Sequence, residues 1–392
     1  MMNSNLMLFA FVLILVAVPL HGQDLAIRGG QIHTISSGII EDGVVLIQDG
    51  KIVDVGKNVQ IPSGIDVIEA KGLIVTPGMI DARCYFGVGM ADLWETSSPV
   101  VPQVHVIESF TARPNSDWLR AGVTSAYITP GPQNVIGGYG AVVKLAGRPS
   151  TYIVSEEAGM SASVGEVPKQ SFEDKAPRTR MGTISLIREA LIEARAYMSS
   201  KPARRDLGQE ALVKVLKKEI PLRVQANRPD DIVNIAKLKK EFDIDLVIDV
   251  GHGAHKVADK LAAAQIPVVV GPNMIGAGGG GRFEFYAHTE ENAARLHKAG
   301  VEIAMSTDHS RGVSVVLQTA ISRAHGLPEA EALKAMTLNA AKILGVADRL
   351  GSIEKGKDAD LVIWSQHPLS TWGKTEVVIV DGKIVFERNK GT

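Results

Sequence analysis

Between about Leu73 and Val346, continuous apolar runs of strand length alternate with stretches whose apolar residues recur every three or four positions, and this alternation restricts the fold more than any other feature. The clearest strands are LRVQAN (222–227), DLVIDV (245–250), IPVVVGP (266–272) and VEIAMSTD (301–308). Strands apolar on both faces belong to parallel sheets covered by helices. Among the helical stretches, DDIVNIAKLKKEF opens on an acidic pair and sets Ile232, Ile235, Leu238 and Phe242 on one face; HKVADKLAAA and TEENAARLHKAG behave alike. Units of this kind close into an eight-stranded barrel or spread into an open doubly wound sheet. No G-x-G-x-x-G opens a helix after a first strand, which argues against a dinucleotide-binding sheet.

The chain ends read differently. LAIRGGQIHTI and GVVLIQDGKIVDVG near the start, with DADLVIW and TEVVIVDGKIVFE near the end, alternate in polarity, and Asp49-Gly50 and Asp381-Gly382 mark two hairpins. Both ends are expected to form one small antiparallel module. Ahead of it, Leu6 to Leu20 is an unbroken apolar run, shorter than a membrane span and ended by Pro19-Leu20, which reads as an export signal. Met1 to Asn5 carry no Lys or Arg and the HGQ before Asp24 lacks a small-x-small site, so two readings stand. One is cleavage near Gly22 or Gln23 and a periplasmic or extracellular protein; the other is an uncleaved membrane anchor. The expected organisation is a signal over 1–23, sandwich halves over 24–76 and 347–392, and the barrel over 77–346. With 42 Lys plus Arg against 43 Asp plus Glu, the net charge of −1 leaves no electrostatic footprint for nucleic acid. Cys84 is the one cysteine, which excludes an internal disulfide and a cysteine-built zinc cluster.

Six stretches together resemble the amidohydrolase superfamily, in its imidazolonepropionase-like and prolidase-like branch. They are GLIVTPGMIDAR (72–83), AGVTSAYITPGPQNVIGGYGAVVKLAGR (121–148), RVQANRPDDI (223–232), HKVADKLAAAQIPVVVGP (255–272), AGVEIAMSTDHS (299–310) and ALKAMTLNAAKILGVADRLGSIEKGKDADLVIW (332–364). The resemblance runs over nearly the full length. It implies an α/β fold, a (β/α)8 TIM-like barrel with a small composite β-sandwich, and hydrolysis of non-peptide C–N bonds by water activated on zinc or another divalent metal. It also implies where that metal would sit. The family's H-x-H pair, directly after Pro77-Gly78-Met79-Ile80-Asp81-Ala82, corresponds to Arg83-Cys84-Tyr85; the fifth strand's His-Ala-His corresponds to Gln225-Ala226-Asn227; the sixth strand's histidine corresponds to Val250. The eighth-strand aspartate is retained as Asp308. Arg83 carries a fixed positive charge, Val250 has no donor atom, and Gln225 and Asn227 offer neutral carbonyl oxygens. One carboxylate does not hold a dication, so no cofactor is expected.

Asp308, Tyr85 and His309 are the candidates for acid, base or water-orienting roles, and Arg83, Gln225, Asn227 and Arg282 for ligand binding. A guanidinium–carboxylate pair of Arg83 and Asp308 is expected to replace the metal. The weaker alternative is a relocated metal on His252, His255 and Asp308, with Asp249 near; His288 lies on the same expected face. Cys84 is expected to point away from the mouth while Arg83 and Tyr85 face it. Neither Gly137-Gly138-Tyr139-Gly140 nor GAGGGGR (276–282) has a phosphate-loop ending; the second reads as a loop over the mouth. Glu173 to Arg180 reads as a solvated insertion before a helix from Ile184 to Met198. Two functions follow. One is an exported homologue without metal-dependent hydrolysis that binds a small molecule or joins a catalytically complete relative in a hetero-oligomer. The other is a metal-free hydrolase using Tyr85, His309 or His252 with Asp308 and Arg83. A scaffold whose mouth is closed by side chains is a third possibility, and the chain is expected to be an oligomer that binds no nucleic acid.

Overall fold

The computed structural model describes residues 24–112, 116–147, 149–172, 176–200, 204–273, 284–308 and 314–388. The segment 1–23 read as an export signal, the glycine-rich run with Arg282, and His309 lie outside the described residues. Two eight-stranded sheets organise the chain. The first is built from both ends: β1 (Leu25–His33), β2 (Ile39–Gln48), β3 (Lys51–Gly56), β4 (Asp66–Glu69) and β5 (Ile74–Pro77) come from the front. Between them and the closing strands lie the barrel strands β6 (Met79–Cys84), β7 (Val123–Ile128), β8 (Ile136–Lys144), β9 (Ile153–Ser163), β10 (Leu222–Ala226), β11 (Leu246–Val250), β12 (Val268–Val270) and β13 (Ile303–Met305). Then β14 (Leu361–Trp364), β15 (Thr375–Val380) and β16 (Lys383–Glu387) return to the first sheet.

Strands β6 to β13 pair in chain order, and Asp308 N donates to Arg83 O at 3.0 Å, which draws the two edge strands together into a nearly closed TIM-like barrel. One strand departs from a uniform (β/α)8 pattern: β8 runs antiparallel to both β7 and β9, while the other paired neighbours are parallel. Short connections at each end of β8 allow this, because an antiparallel return needs no crossover helix. The glycines of β8 serve packing. A Cβ on Gly140 would come within 2.1 Å of the Tyr127 hydroxyl oxygen, so the Tyr127 ring occupies that space in the lumen. Ile80, Ala82, Tyr127, Val142, Val247 and Ala304 form the inner core, whereas Cys84, two residues beyond Ala82, faces the outer core between sheet and helices, because the pairing of β6 with β7 breaks register between Asp81 and Cys84. Burial holds the Cys84 thiol well above its ordinary pKa, which removes it as a nucleophile.

Both predicted hairpins form. Asp49 and Gly50 have φ of 49° and 79°, and Asp381 and Gly382 have 50° and 71°, the left-handed pair that a two-residue turn requires. The end module is not purely antiparallel, however: β1 pairs in parallel with β4 and β5, and β5 pairs antiparallel with β14 to join the chain ends. At the junction of the two sheets, Lys144 at the end of β8 is wholly buried, with its ammonium 2.9 Å from Asp358, 3.0 Å from Asp360 and 2.5 Å from Asp381. Lys51 and Arg349 complete the neutralisation by pairing with Asp358 at 2.5 and 2.9 Å.

The segment leading to the helix Arg180–Ser199 differs from a solvated insertion in one respect. Arg180 is a hub that pairs with Glu166 at 2.9 Å and with Asp231 and Glu284, because the helix starts earlier than Ile184 and turns its first residue toward the barrel rim. Glu173 to Lys175 lie outside the described residues.

Candidate site at the barrel mouth

The carboxyl ends of β6, β10, β11 and β13 bring Arg83, Gln225, Asp249 and Asp308 to one level, the face on which barrels of this kind carry their chemistry. Arg83 is 2% exposed. Its guanidinium pairs with Asp308, donates from Nη2 to Gln225 Oε1 at 2.8 Å and from Nη1 to the Tyr85 hydroxyl at 3.1 Å, and its Nε lies 3.6 Å from Asp249 Oδ2. Tyr85 donates in turn to Asp308 Oδ1 at 3.0 Å. Beneath it, Arg223 holds Asp249 with two bonds of 3.2 and 2.7 Å, donates to Ala82 O at 3.0 Å and lies 3.9 Å above the Tyr127 ring. Two guanidinium groups thus share two carboxylates in a buried layer.

Asp81 supports that layer. It accepts from Thr307 Oγ1 at 2.5 Å, Thr307 N at 3.1 Å and Arg83 N at 3.2 Å, tying the ends of β6 and β13. Burial still pushes its pKa up to about 7. Backbone strain gathers at the same level: Val250 and Asp308 have φ of 69° and 48°, and a β-branched residue in that region is costly. Several buried atoms near the mouth have no hydrogen-bond partner, among them Arg83 Nε, Thr129 Oγ1, Ser163 Oγ, Arg223 Nη1 and Asn227 Oδ1. Donors outnumber acceptors in that set.

The histidines form a separate group. His252 Nδ1 lies 3.2 Å from His288 Nδ1, with Phe285 edge-on, while His255 turns to Asn292 Oδ1 at 3.3 Å. The structure therefore does not bring His252, His255 and Asp308 together, and among the described residues no three His, Cys, Asp or Glu side chains converge as a metal-holding group. Burial, then the neighbouring His288, pushes the His252 pKa down to about 3. Folded, the ring binds fewer protons than unfolded wherever the pH lies between about 3 and 6.5, so stability is full above about 6.5 and is lost as the pH falls. A His252→Gln variant is expected to show a flatter dependence of the urea midpoint between about pH 7 and pH 5. An unchanged slope would exclude His252 as its source.

Sequence reasoning placed Arg83, Tyr85, Gln225 and Asp308, which do meet. Asn227 is buried at the end of β10 but is not a partner of Arg83. Arg223 and Tyr127 also belong to the site, and Asp249 is central to it; the signal in the sequence was a charged residue at an inward position of an otherwise apolar strand.

The amidohydrolase family model matches residues 286–385. The chain is 26% identical over 396 residues to amidohydrolase tasK of Hapsidospora irregularis, covering 88% of this chain and spanning 40% of that protein's length. It is 22% identical over 370 residues to the imidazolonepropionase of Brucella anthropi, covering 83% of this chain and 88% of that one. Among solved structures, an amidohydrolase from Thermotoga maritima MSB8 is 36% identical with a TM-score of 0.87, covering 93% of this chain and all of that one (100%).

Proposed function

The chain belongs to the amidohydrolase family, and from that premise we propose that it is a member in which a guanidinium stands where its relatives carry a catalytic metal, so that it binds a small molecule at the barrel mouth without metal-dependent hydrolysis. One observation carries the reading. The Arg83 side chain starts from one position at which the family resemblance expects a metal ligand, and its head is held by the residues at three others, Tyr85, Gln225 and Asp308. A fixed cation at that point repels a dication and satisfies the carboxylate that would otherwise attract one. The donor set does not fit zinc, which takes imidazole, thiolate or carboxylate ligands. Unpartnered donors on Arg83, Thr129, Ser163 and Arg223 support a polar ligand that offers oxygen acceptors.

The proposal extends to setting: an exported protein, by the apolar run Leu6–Leu20, acting as a partner subunit beside a catalytically complete relative. A second reading, metal-free C–N hydrolysis, is favoured by Tyr85, whose hydroxyl lies between the Arg83 guanidinium and the Asp308 carboxylate and could pass a proton to a leaving nitrogen. The test is elemental analysis of the purified protein after exposure to zinc, manganese and iron, together with a hydrolysis assay on cyclic amides and N-acyl amino acids. The expected result is substoichiometric metal and no turnover, with an intact mass lacking residues 1–23. Near-stoichiometric metal that disappears in Asp308→Asn would overturn the proposal; metal-free turnover that disappears in Tyr85→Phe would establish the second reading.

A further inference from the structure

A cavity of about 300 Å³ opens where the stretch leading into β7 and the helix Val315–Ala324 meet the end-built sheet. Its walls are apolar, formed by Ala121, Val316, Leu317, Ala320, Trp364 and Leu369. Its charged lining is of one sign: Arg120, Lys374 and Arg388 border it, and no Asp or Glu does among the described residues. Glu376 lies 3.5 Å from Arg388, whose Nε also donates to Thr375 O at 2.9 Å, so that cation is tethered. Arg120 and Lys374 are exposed and in no ion pair among the described residues.

The floor is rigid. The Trp364 indole donates to Thr76 Oγ1 at 2.9 Å, and its ring lies against Gly122, where a Cβ would come within 2.4 Å. Thr375, 1% exposed, contributes a buried hydroxyl with no hydrogen-bond partner. The helix Val315–Ala324 begins at the cavity, adding the positive end of its dipole. Leu317 remains 48% exposed at the entrance, although an apolar side chain gains by burial.

We propose that this cavity binds an amphipathic monocarboxylate. The aliphatic chain lies along Val316, Leu317, Ala320, Trp364 and Leu369, and the carboxylate is held between Arg120 and Lys374. Apolar walls supply burial energy, and unpaired cations at the entrance select an anionic head over a neutral one. The cavity shares no lining residue with the site built on Arg83, Tyr85, Gln225, Asp249 and Asp308.

Octanoate is the probe, titrated into the full chain and read by calorimetry and by tryptophan fluorescence, since Trp364 forms the floor. The wild type is expected to bind it saturably, and the Arg120→Glu/Lys374→Glu double variant about tenfold or more weakly. Both substitutions are at exposed positions, and an unchanged far-ultraviolet circular dichroism spectrum identifies a folded variant. Octan-1-ol, which lacks the charge, is expected to bind wild type and variant alike. Absence of saturable octanoate binding to the wild type, or equal binding to the folded double variant, would overturn the proposal.

Discussion

An Arg83→Met variant is expected to lose about 3–5 kcal/mol of folding stability, read as a lower midpoint in urea unfolding. The side chain is 2% exposed and its head serves Asp308, Gln225 and Tyr85, with Asp249 close by. Methionine fills similar volume, so the loss comes from carboxylates left in a low-dielectric layer without their counter-charge rather than from a cavity. Removing the facing charge as well, in Arg83→Met/Asp308→Asn, is expected to recover about 1–3 kcal/mol. That recovery distinguishes a coupled pair from two independent structural residues; strictly additive losses would show that Arg83 and Asp308 do not act together. If the single variant retains full stability, the guanidinium is not what neutralises the mouth.

The second large effect is at the other end of the barrel. Lys144→Met is expected to cost about 3–5 kcal/mol or to prevent folding at ordinary temperature, because three carboxylates surround one buried ammonium. Lys51 and Arg349 pair with Asp358 alone, so Asp360 and Asp381 would share buried space with no cation. Burial already raises the Asp360 pKa to about 6 even with Lys144 present. A Lys144→Met/Asp381→Asn variant, which lowers the excess negative charge by one, is expected to be more stable than Lys144→Met. A double variant no more stable than the single one would contradict this account. Since Lys144 belongs to the barrel and its partners to the end-built sheet, the same substitution is expected to loosen the junction first, visible as faster amide exchange in β14 and β15 than in β10 and β11.

Much of this architecture was legible in local chemistry. Asp-Gly pairs between alternating runs specify two-residue hairpins because both central residues need positive φ, and both formed. Apolar runs such as 245–250 announced parallel barrel strands, although β11 starts at Leu246 and Val250 ends it in a left-handed conformation. Arg83 and Asp308 could be paired from sequence because each lies near the carboxyl end of a strand, and those ends of a barrel's strands share one face. The direction of β8 was not legible, since its residues are as apolar as a parallel strand's and direction depends on which neighbours it meets. Nor was the company of Arg223, whose ladder with Asp249 depends on adjacent strands placing inward side chains at neighbouring levels.

By itself the sequence determined what each segment does over a few residues: where strands and helices form, where the chain turns, and which side of a strand is apolar. It also determined that positions 83, 85 and 225 carry no imidazole, a fact of composition that no folding alters. Which charges neutralise one another emerged with the folded chain, which brings Arg83 to Asp308 and Lys144 to Asp358, Asp360 and Asp381 across more than two hundred residues. The reason is that secondary structure follows from short-range sterics and periodicity, whereas the pairing of buried charges follows from distance in space, which the chain acquires only when the barrel and the end-built sheet close.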